Sequence, residues 1–297
     1  MTLPPIRNPK DGRSLLWSLV FFPVFPAVGL THPQWWLMFV PVGLYLGFCA
    51  GVLAHYHNHR GVFHSDILNR LYSVWLSVFY GFPIFSWIPT HNQNHHKFVN
   101  GPGDTTSTLR RAQKDTLYEA VTYPSRSSRW QAPTLALYVR KLHKKRSRAL
   151  PWAIAQGLAI VFFHLAVIVW SLGRADSPQA LSAYVLLVLL PALFAPWSMM
   201  FINYVQHVGC NHACPNNHSR NFVGAWENWL VFDAGLHTVH HENPGAHWSQ
   251  YQELHDRRGS VIHPHLCQRN VFTFLWRHYW RGEKTLTLTE SNNSATL

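Results

Sequence analysis

The sequence has few cysteines. Four cysteines occur in 297 residues, and only Cys210 and Cys214 lie close together. This number does not make the disulfide framework of a small secreted protein, and a reducing, cytosol-facing environment is the simpler interpretation. Cys210 and Cys214 leave open a zinc site or a disulfide, although a structural zinc site needs four ligands and only His212 and His218 lie near.

Acidic residues are also scarce. The chain has 13 Asp and Glu against 25 Lys and Arg, a formal charge of +12. No His-Glu-x-x-His motif is present, so the zinc-protease helix is excluded. No Glu is followed by His three residues later, which excludes the Glu-x-x-His pairs of soluble di-iron bundles. No Gly-x-Gly-x-x-Gly motif predicts a dinucleotide site.

Histidine, in contrast, is abundant, with 21 residues in the chain. Residues three or four apart share one face of a helix, and neutral imidazole is the commonest metal ligand. Three clusters lie at or just beyond the ends of hydrophobic segments: His55/His59, His91/His95/His96 and His237/His240/His241. They contain too many imidazoles for one tetrahedral zinc ion. The pattern therefore predicts a site for two metal ions, bound almost entirely by histidine.

The middle cluster has irregular spacing. His91 and His96 are five residues apart, which on a regular α-helix separates them by roughly 140°. Three explanations remain open. His91 lies in a non-helical turn after Pro89, a π-bulge absorbs the extra residue, or Asn92 itself faces a metal.

Other histidines are weaker candidates. His207 follows a hydrophobic segment and is predicted to reach the clusters as a further ligand. His64 is a looser candidate, whereas His57 should point away from its neighbours His55 and His59 on a helix. His247 and His164 are interpreted as structural. The rest have no partner spacing that predicts a ligand: His143, His212, His218, His255, His263, His265 and His278.

Long apolar segments predict a membrane protein. A bilayer core of about 30 Å requires roughly 20 apolar residues in a helix. Four segments fit: Leu15–Leu30, Trp35–Ala54, Pro151–Leu172 and Ala180–Tyr204. The first is interpreted as a retained span because no small-x-small cleavage site follows it.

A fifth apolar segment, Ile67–Ile88, lies between the first two histidine clusters. If both clusters bind the same metals, the two ends of this segment must lie on one side of the membrane. We therefore predict an in-plane or re-entrant helix, broken near Gly81 and Pro83. The other four spans would then form two helical hairpins.

The charge distribution agrees with this topology. Only Arg174 of the 25 Lys and Arg residues falls in a predicted outer loop, and a basic run, Arg140–Arg148, directly precedes the third span. The positive-inside rule then places both termini and all three clusters in the cytoplasm. The juxtamembrane position of the basic run favours anionic lipid over nucleic acid as its partner. Residues 1–284 are predicted to form one domain, and 285–297 a flexible polar tail.

From about Gly51 to His255 the chain resembles the integral-membrane fatty acid desaturase superfamily, which includes related hydroxylases. That family carries three histidine boxes in this order, and the second box here has the three-residue gap that is less common among acyl-lipid desaturases. The element Tyr204-Val-Gln-His207 resembles the Gln-His that precedes the third box, and the segments 228–237 and 241–244 also match.

The resemblance implies an all-α fold of four transmembrane helices with a cytosolic, histidine-rich cap. It implies a di-iron centre, dioxygen as co-substrate and a fatty acyl chain in a tunnel. The leading hypothesis is a desaturase in the bacterial inner membrane that introduces a double bond. The alternative is a hydroxylase, or an oxidative decarboxylase that forms a terminal alkene. The implied metal ligands are His55, His59, His91, His95, His96, His207, His237, His240 and His241.

Electrons must come from elsewhere, because the fused cytochrome b5 domain of some relatives, with its His-Pro-Gly-Gly, is absent. A separate donor of the ferredoxin, rubredoxin or cytochrome b5 type is expected. The basic side of the protein would attract an acidic donor or carrier protein, or it only satisfies the positive-inside rule. A histidine-rich metal transporter is a distant alternative, since it should carry ligands within its spans, where this chain has only His164.

Overall fold

The structure is a computed structural model that describes residues 5–110 and 115–283. It is mostly helical, with 73% of the described residues in helices. In chain order the elements are α1 (Asp11–Thr31), α2 (Trp36–His59), α3 (Asp66–Tyr80), α4 (Ile84–Phe98), α5 (Leu117–Lys144), α6 (Ala149–Leu172), α7 (Ser177–His207), β1 (Asn221–Phe222), α8 (Ala225–Leu230), α9 (His237–Glu242), α10 (Tyr251–Arg258), β2 (Cys267–Gln268) and α11 (Val271–Leu275).

Four helices are long and apolar enough to cross a membrane, namely α1, α2, α6 and α7. They coincide with the four predicted spans, and each extends a few residues further. Two features were not predicted. The 28-residue helix α5 is amphipathic and contains Pro124 and Pro133, so it has no continuous apolar segment. The two-residue strands β1 and β2 pair in parallel within a structure that is otherwise all-helical, as predicted; two residues are too short for a period-2 pattern to be visible.

The chain divides into two compact units, Met1–Ile88 with Ala136–Met199, and Pro89–Leu135 with Met200–Leu297. In the first unit, Leu30, Tyr184 and Leu187 are buried against side chains of α2 and α6. Gly47 of α2 faces α7 closely, since a Cβ atom there would lie 2.9 Å from the carbonyl oxygen of Pro191. Small residues permit such close helix contacts in membrane proteins.

The predicted fifth apolar segment is broken where the sequence indicated. Helix α3 ends at Tyr80 and is capped by Gly81, whose φ of 73° is left-handed. Pro83 precedes α4. The axes of α3 and α4 differ by 101°. Near the break, Ser77 donates a hydrogen bond to Gln156 of α6 at 3.1 Å. The segment is therefore not one straight helix.

In the second unit, the β1–β2 ladder lies beside a small apolar core. Buried members of this core include Tyr123, Tyr204, Phe222 and Phe274. Arg220 is also buried, and its guanidinium lies 4.4 Å from the Phe274 ring centroid. The predicted tail, residues 285–297, lies outside the described residues.

Candidate metal centre

Helix α9 carries the third histidine cluster. All three histidines are buried, and the helix ends at Glu242, two residues before Pro244. The residue before a proline is disfavoured in helical geometry, so the short helix follows from the local sequence. His237 and His241 lie one turn apart, with their Nε2 atoms at 3.1 Å.

A first histidine set lies entirely in the second unit. Its members are His95, His207, His237 and His241, each of which offers a ring nitrogen within 4.8 Å of the others. The Nε2 atom of His207 lies 3.0 Å from that of His237 and 3.1 Å from that of His241. All four side chains are buried. Nε2 of His95 has no hydrogen-bond partner among the described residues.

A second histidine set, His91, His96 and His240, lies beside the first. Nε2 of His96 is 3.0 Å from Nε2 of His91 and 3.1 Å from Nε2 of His240. Residues Ile88–His95 form a π-helical turn within α4. This turn absorbs the extra residue, so His91 and His96 face each other despite their five-residue separation. Of the three explanations for the irregular spacing, the π-bulge is the one observed.

The first cluster belongs to the first unit. His55 and His59 form the last turn of α2, with ring centroids 5.0 Å apart. His55 is buried and its ring lies 5.3 Å from that of Trp87. His57 points away, as predicted, because its Nε2 donates a hydrogen bond to the carbonyl oxygen of Asn69 at 3.0 Å.

Three polar groups fix the orientation of histidines in the two sets. Nδ1 of His95 donates to the carboxylate of Asp104 at 2.7 Å, and Nδ1 of His207 donates to the carbonyl oxygen of His218 at 3.0 Å. Because both acceptors lack a proton to donate, the proton of each neutral imidazole lies on Nδ1, and the lone pair of His95 and of His207 then lies on Nε2. Nδ1 of His240 lies 3.0 Å from the hydroxyl of Tyr251. Such outer hydrogen bonds orient metal-binding histidines in general.

The electrostatics favour a neutral His241 and an ionised Asp104. Burial, followed by the charge of His237 and the neighbouring histidines, lowers the pKa of His241 well below its ordinary value. Burial alone would raise the pKa of Asp104, but the charge and hydrogen bond of His95, together with two hydrogen bonds from Thr106, lower the pKa below its ordinary value. Neutral imidazole is the form that binds a metal.

The nitrogen geometry fits metal ions. Imidazole nitrogens about 2.0–2.1 Å from a metal lie roughly 3.0–3.4 Å apart at the usual coordination angles. The observed separations of 3.0–3.1 Å agree with this expectation. Lone pairs that converge in a buried place would repel each other without a cation between them. Imidazole suits iron, zinc, copper and nickel, so the donor set fits two first-row metal ions.

The other predicted positions have ordinary roles. His247 caps the turn Trp248–Gln250 through a hydrogen bond from the Ser249 amide, in agreement with its structural interpretation. His164 lies 3.0 Å from the Tyr184 hydroxyl, and His64 is exposed. Cys210 and Cys214 are free thiols, so they do not form the disulfide that the sequence left open.

Sequence reasoning missed Asp104, Tyr251 and the carbonyl of His218. Asp104 lies nine residues after His95. A loop brings its carboxylate back to the imidazole, and no sequence motif with this separation predicts such a contact. The one available signal is its residue type: the chain has only 13 acidic residues, so an aspartate close to a histidine cluster in the sequence is a candidate partner. Asp104 is fully buried, and a buried carboxylate requires a partner.

Apolar helices of membrane-spanning length together with buried polyhistidine sets define a class of membrane metalloenzymes. The family model described as Fatty acid desaturase matches residues 33–273. The chain belongs to this family, which comprises membrane di-iron oxidoreductases. No curated protein and no solved structure matches the chain.

Proposed function

We propose that this protein is a fatty acid desaturase that binds two iron ions and uses dioxygen to introduce a double bond into an acyl chain. The observation that carries the proposal is the pair of adjacent histidine sets, whose ring nitrogens converge at 3.0–3.1 Å, with the first set fully buried and the second partly buried. Family membership supplies the fatty acyl substrate class and the membrane setting.

Nine histidines are proposed as the ligands. His95, His207, His237 and His241 would hold one iron, and His91, His96 and His240 the other. His55 and His59 would be the remaining ligands, since they form an i, i+4 pair at the end of α2. No carboxylate belongs to either set.

The bound irons would supply oxygen activation for removal of hydrogen from an unactivated C–H bond. The chain's own residues position the ligands and exclude water. Asp104, the His218 carbonyl and Tyr251 hold three imidazoles so that their Nε2 atoms face inward. Burial of the first set keeps solvent from the reacting position.

An apolar cavity of about 40 Å³ in the first unit supports an apolar substrate. Its lining includes Phe22, Phe39, Phe79 and Phe163, and no charged residue lines it. A lining of this kind is chemically compatible with the methylene groups of an acyl chain. Desaturation and hydroxylation differ by small displacements of such a chain, so the outcome depends on how the acyl chain lies beside the metals.

The remaining assignments belong to the same proposal. Residues 1–284 would act as one desaturase domain with four spans in two hairpins, and α3 would lie in the membrane plane or re-enter on one side. The histidine sets and both termini would face the cytoplasm of a bacterial inner membrane. A separate ferredoxin, rubredoxin or cytochrome b5 would supply electrons. The acyl group could be a free acid, a thioester of CoA or carrier protein, or a lipid.

The test replaces His240 by alanine. Cells that express the wild-type protein should contain a new unsaturated acyl chain, detected by mass spectrometry, and the His240→Ala variant should abolish it. The reason is that His240 contacts His96 in the second set. His143→Ala is the matched control, because His143 is exposed and belongs to neither set. Full activity in the His240→Ala variant would refute the proposal, whereas a hydroxylated acid or a terminal alkene would replace desaturation by another outcome.

A further inference from the structure

A carboxylate in the second unit accepts hydrogen bonds from two tyrosines. Asp115 Oδ1 accepts one from the hydroxyl of Tyr279 at 2.7 Å and one from the hydroxyl of Tyr204 at 3.1 Å. Asp115 Oδ2 lies 2.7 Å from Nε2 of His278. Tyr204 and His278 are buried. The two phenols therefore share one oxygen as the acceptor of their protons.

This cluster is connected to the first histidine set. The ring centroids of Tyr204 and Tyr123 lie 5.1 Å apart, and the Tyr123 hydroxyl donates to the carbonyl oxygen of Thr106. The Thr106 hydroxyl lies 2.9 Å from Nδ1 of His95. We name Tyr123, Tyr204 and Tyr279 the tyrosine chain. It leads from a candidate metal ligand to Tyr279, which is half-buried beside the exposed Trp280.

Filling space in the core does not require phenols. Phenylalanine would pack as well at these positions, whereas a buried hydroxyl needs a hydrogen-bond partner. Tyrosine is also one of the few side chains that a metal enzyme can oxidise by one electron. The oxidised phenol becomes strongly acidic, so the step requires a proton acceptor at the hydroxyl. Asp115 supplies that acceptor for both Tyr204 and Tyr279.

We propose that the tyrosine chain is a one-electron relay that returns electrons to the metal centre when oxygen is activated without a positioned substrate. The inference rests on the proposed function, which supplies the oxidant: the oxygen-activated iron pair. Its role would be to protect the histidine ligands from oxidation. Loss of an electron from the chain would leave a radical near the surface, where a soluble reductant can reach it.

Each step balances. In the first step, Tyr204 would give one electron through Tyr123 to the bound metal centre, and the phenol proton of Tyr204 would move to Asp115. Tyr279 then gives an electron to the Tyr204 radical, which recovers the proton from Asp115, and the Tyr279 proton replaces it on the carboxylate. Finally, an external one-electron reductant such as ascorbate reduces the Tyr279 radical, and the proton on Asp115 returns to the phenol.

The test mixes the iron(II)-loaded full chain with oxygen in the absence of acyl substrate and measures radicals by freeze-quench electron paramagnetic resonance. The wild type should give a radical signal that narrows when its tyrosines carry ring deuterium. Tyr204→Phe should reduce the signal several-fold and increase oxidised histidine in peptides from the boxes. Asp115→Asn should also reduce the signal, although all three tyrosines remain. Tyr118→Phe is the control, because Tyr118 is 67% exposed and lies outside the chain of contacts.

If Tyr204→Phe fails to fold, Tyr279→Phe tests the same relay at a half-buried position. Its radical should persist and become resistant to ascorbate. Iron content, and the product formed when substrate is present, are measured in the same preparations. A wild-type protein without iron or without product would count against the proposed function rather than against the relay. Normal iron and product with no wild-type radical, or with a Tyr204→Phe signal equal to the wild type, would overturn the relay.

Discussion

The hydrogen bond between His95 and Asp104 decides which ring nitrogen of His95 can bind a metal. Asp104 also accepts hydrogen bonds from the Asn100 amide at 2.7 Å and from the Thr106 amide at 2.7 Å. These contacts fix the carboxylate before it meets the imidazole. A carboxylate in this position keeps the proton of the neutral His95 ring on Nδ1, so that the lone pair on Nε2 points toward the first histidine set.

Replacement of Asp104 by asparagine should weaken metal binding. An asparagine can turn its NH2 group toward Nδ1, which favours the tautomer with a proton on Nε2 and blocks ligation. Loss of such an outer partner typically reduces metal affinity or activity by about 10–100-fold. Iron titration of the purified protein measures the change, and Asp256→Asn is the control because Asp256 is exposed. An unchanged affinity would show that Asp104 does not position His95.

At this scale the sequence predicted the histidine clusters but not their partners. Spacing alone placed His237, His240 and His241 on one turn, since helical periodicity is local. Asp104 and Tyr251 could not be predicted, because their contacts depend on how loops return toward the clusters. His218 contributes a backbone carbonyl, which any residue type could provide.

The break between α3 and α4 depends on one residue, Gly81. Gly81 has a left-handed φ of 73°, and a Cβ atom there would lie 2.2 Å from the carbonyl oxygen of Ala192. Two separate causes therefore favour glycine, namely the backbone conformation and the close approach of α7.

Gly81→Ala should destabilise the protein, because α7 must shift and the alanine must adopt a strained φ. Overpacking of this kind typically costs about 1–3 kcal/mol. Thermal unfolding in detergent should show a lower midpoint for Gly81→Ala than for the wild type. Gly245→Ala is the control, because no atom lies within 4 Å of a Cβ atom placed there and its φ is not positive. Equal midpoints for the two variants would contradict this account of the break.

The elements also show what sequence patterns leave undecided. Gly81 and Pro83 correctly predicted the break, since both residues have restricted roles in helices. The spacing of His91 and His96 allowed three explanations, because a π-turn has no residue signature that distinguishes it from a loop. Helix α5 was missed because it is amphipathic rather than continuously apolar.

At the scale of the whole molecule, charge and apolar length together predict the topology. The one basic residue in the predicted outer loops, Arg174, forms an ion pair with Asp176 at 2.7 Å. The basic residues near the end of α5 precede α6 directly. The positive-inside rule predicts that this junction faces the cytoplasm.

Single-cysteine labelling in spheroplasts should establish this topology. After replacement of the four native cysteines by serine, a cysteine at Asp176 should react with a membrane-impermeant reagent from outside. A cysteine at the exposed Ser125 should react only after the membrane is opened. Reaction of the Ser125 position from outside would refute the proposed orientation.

The central claim is that the two histidine sets bind two iron ions. The most direct measurement is metal analysis of the purified protein combined with iron X-ray absorption, on the wild type beside His240→Ala. The account predicts two irons per chain in the wild type, with imidazole scattering and no sulfur ligand, and a loss of iron in the variant. One metal ion per chain, zinc instead of iron, or equal iron in both proteins would contradict it.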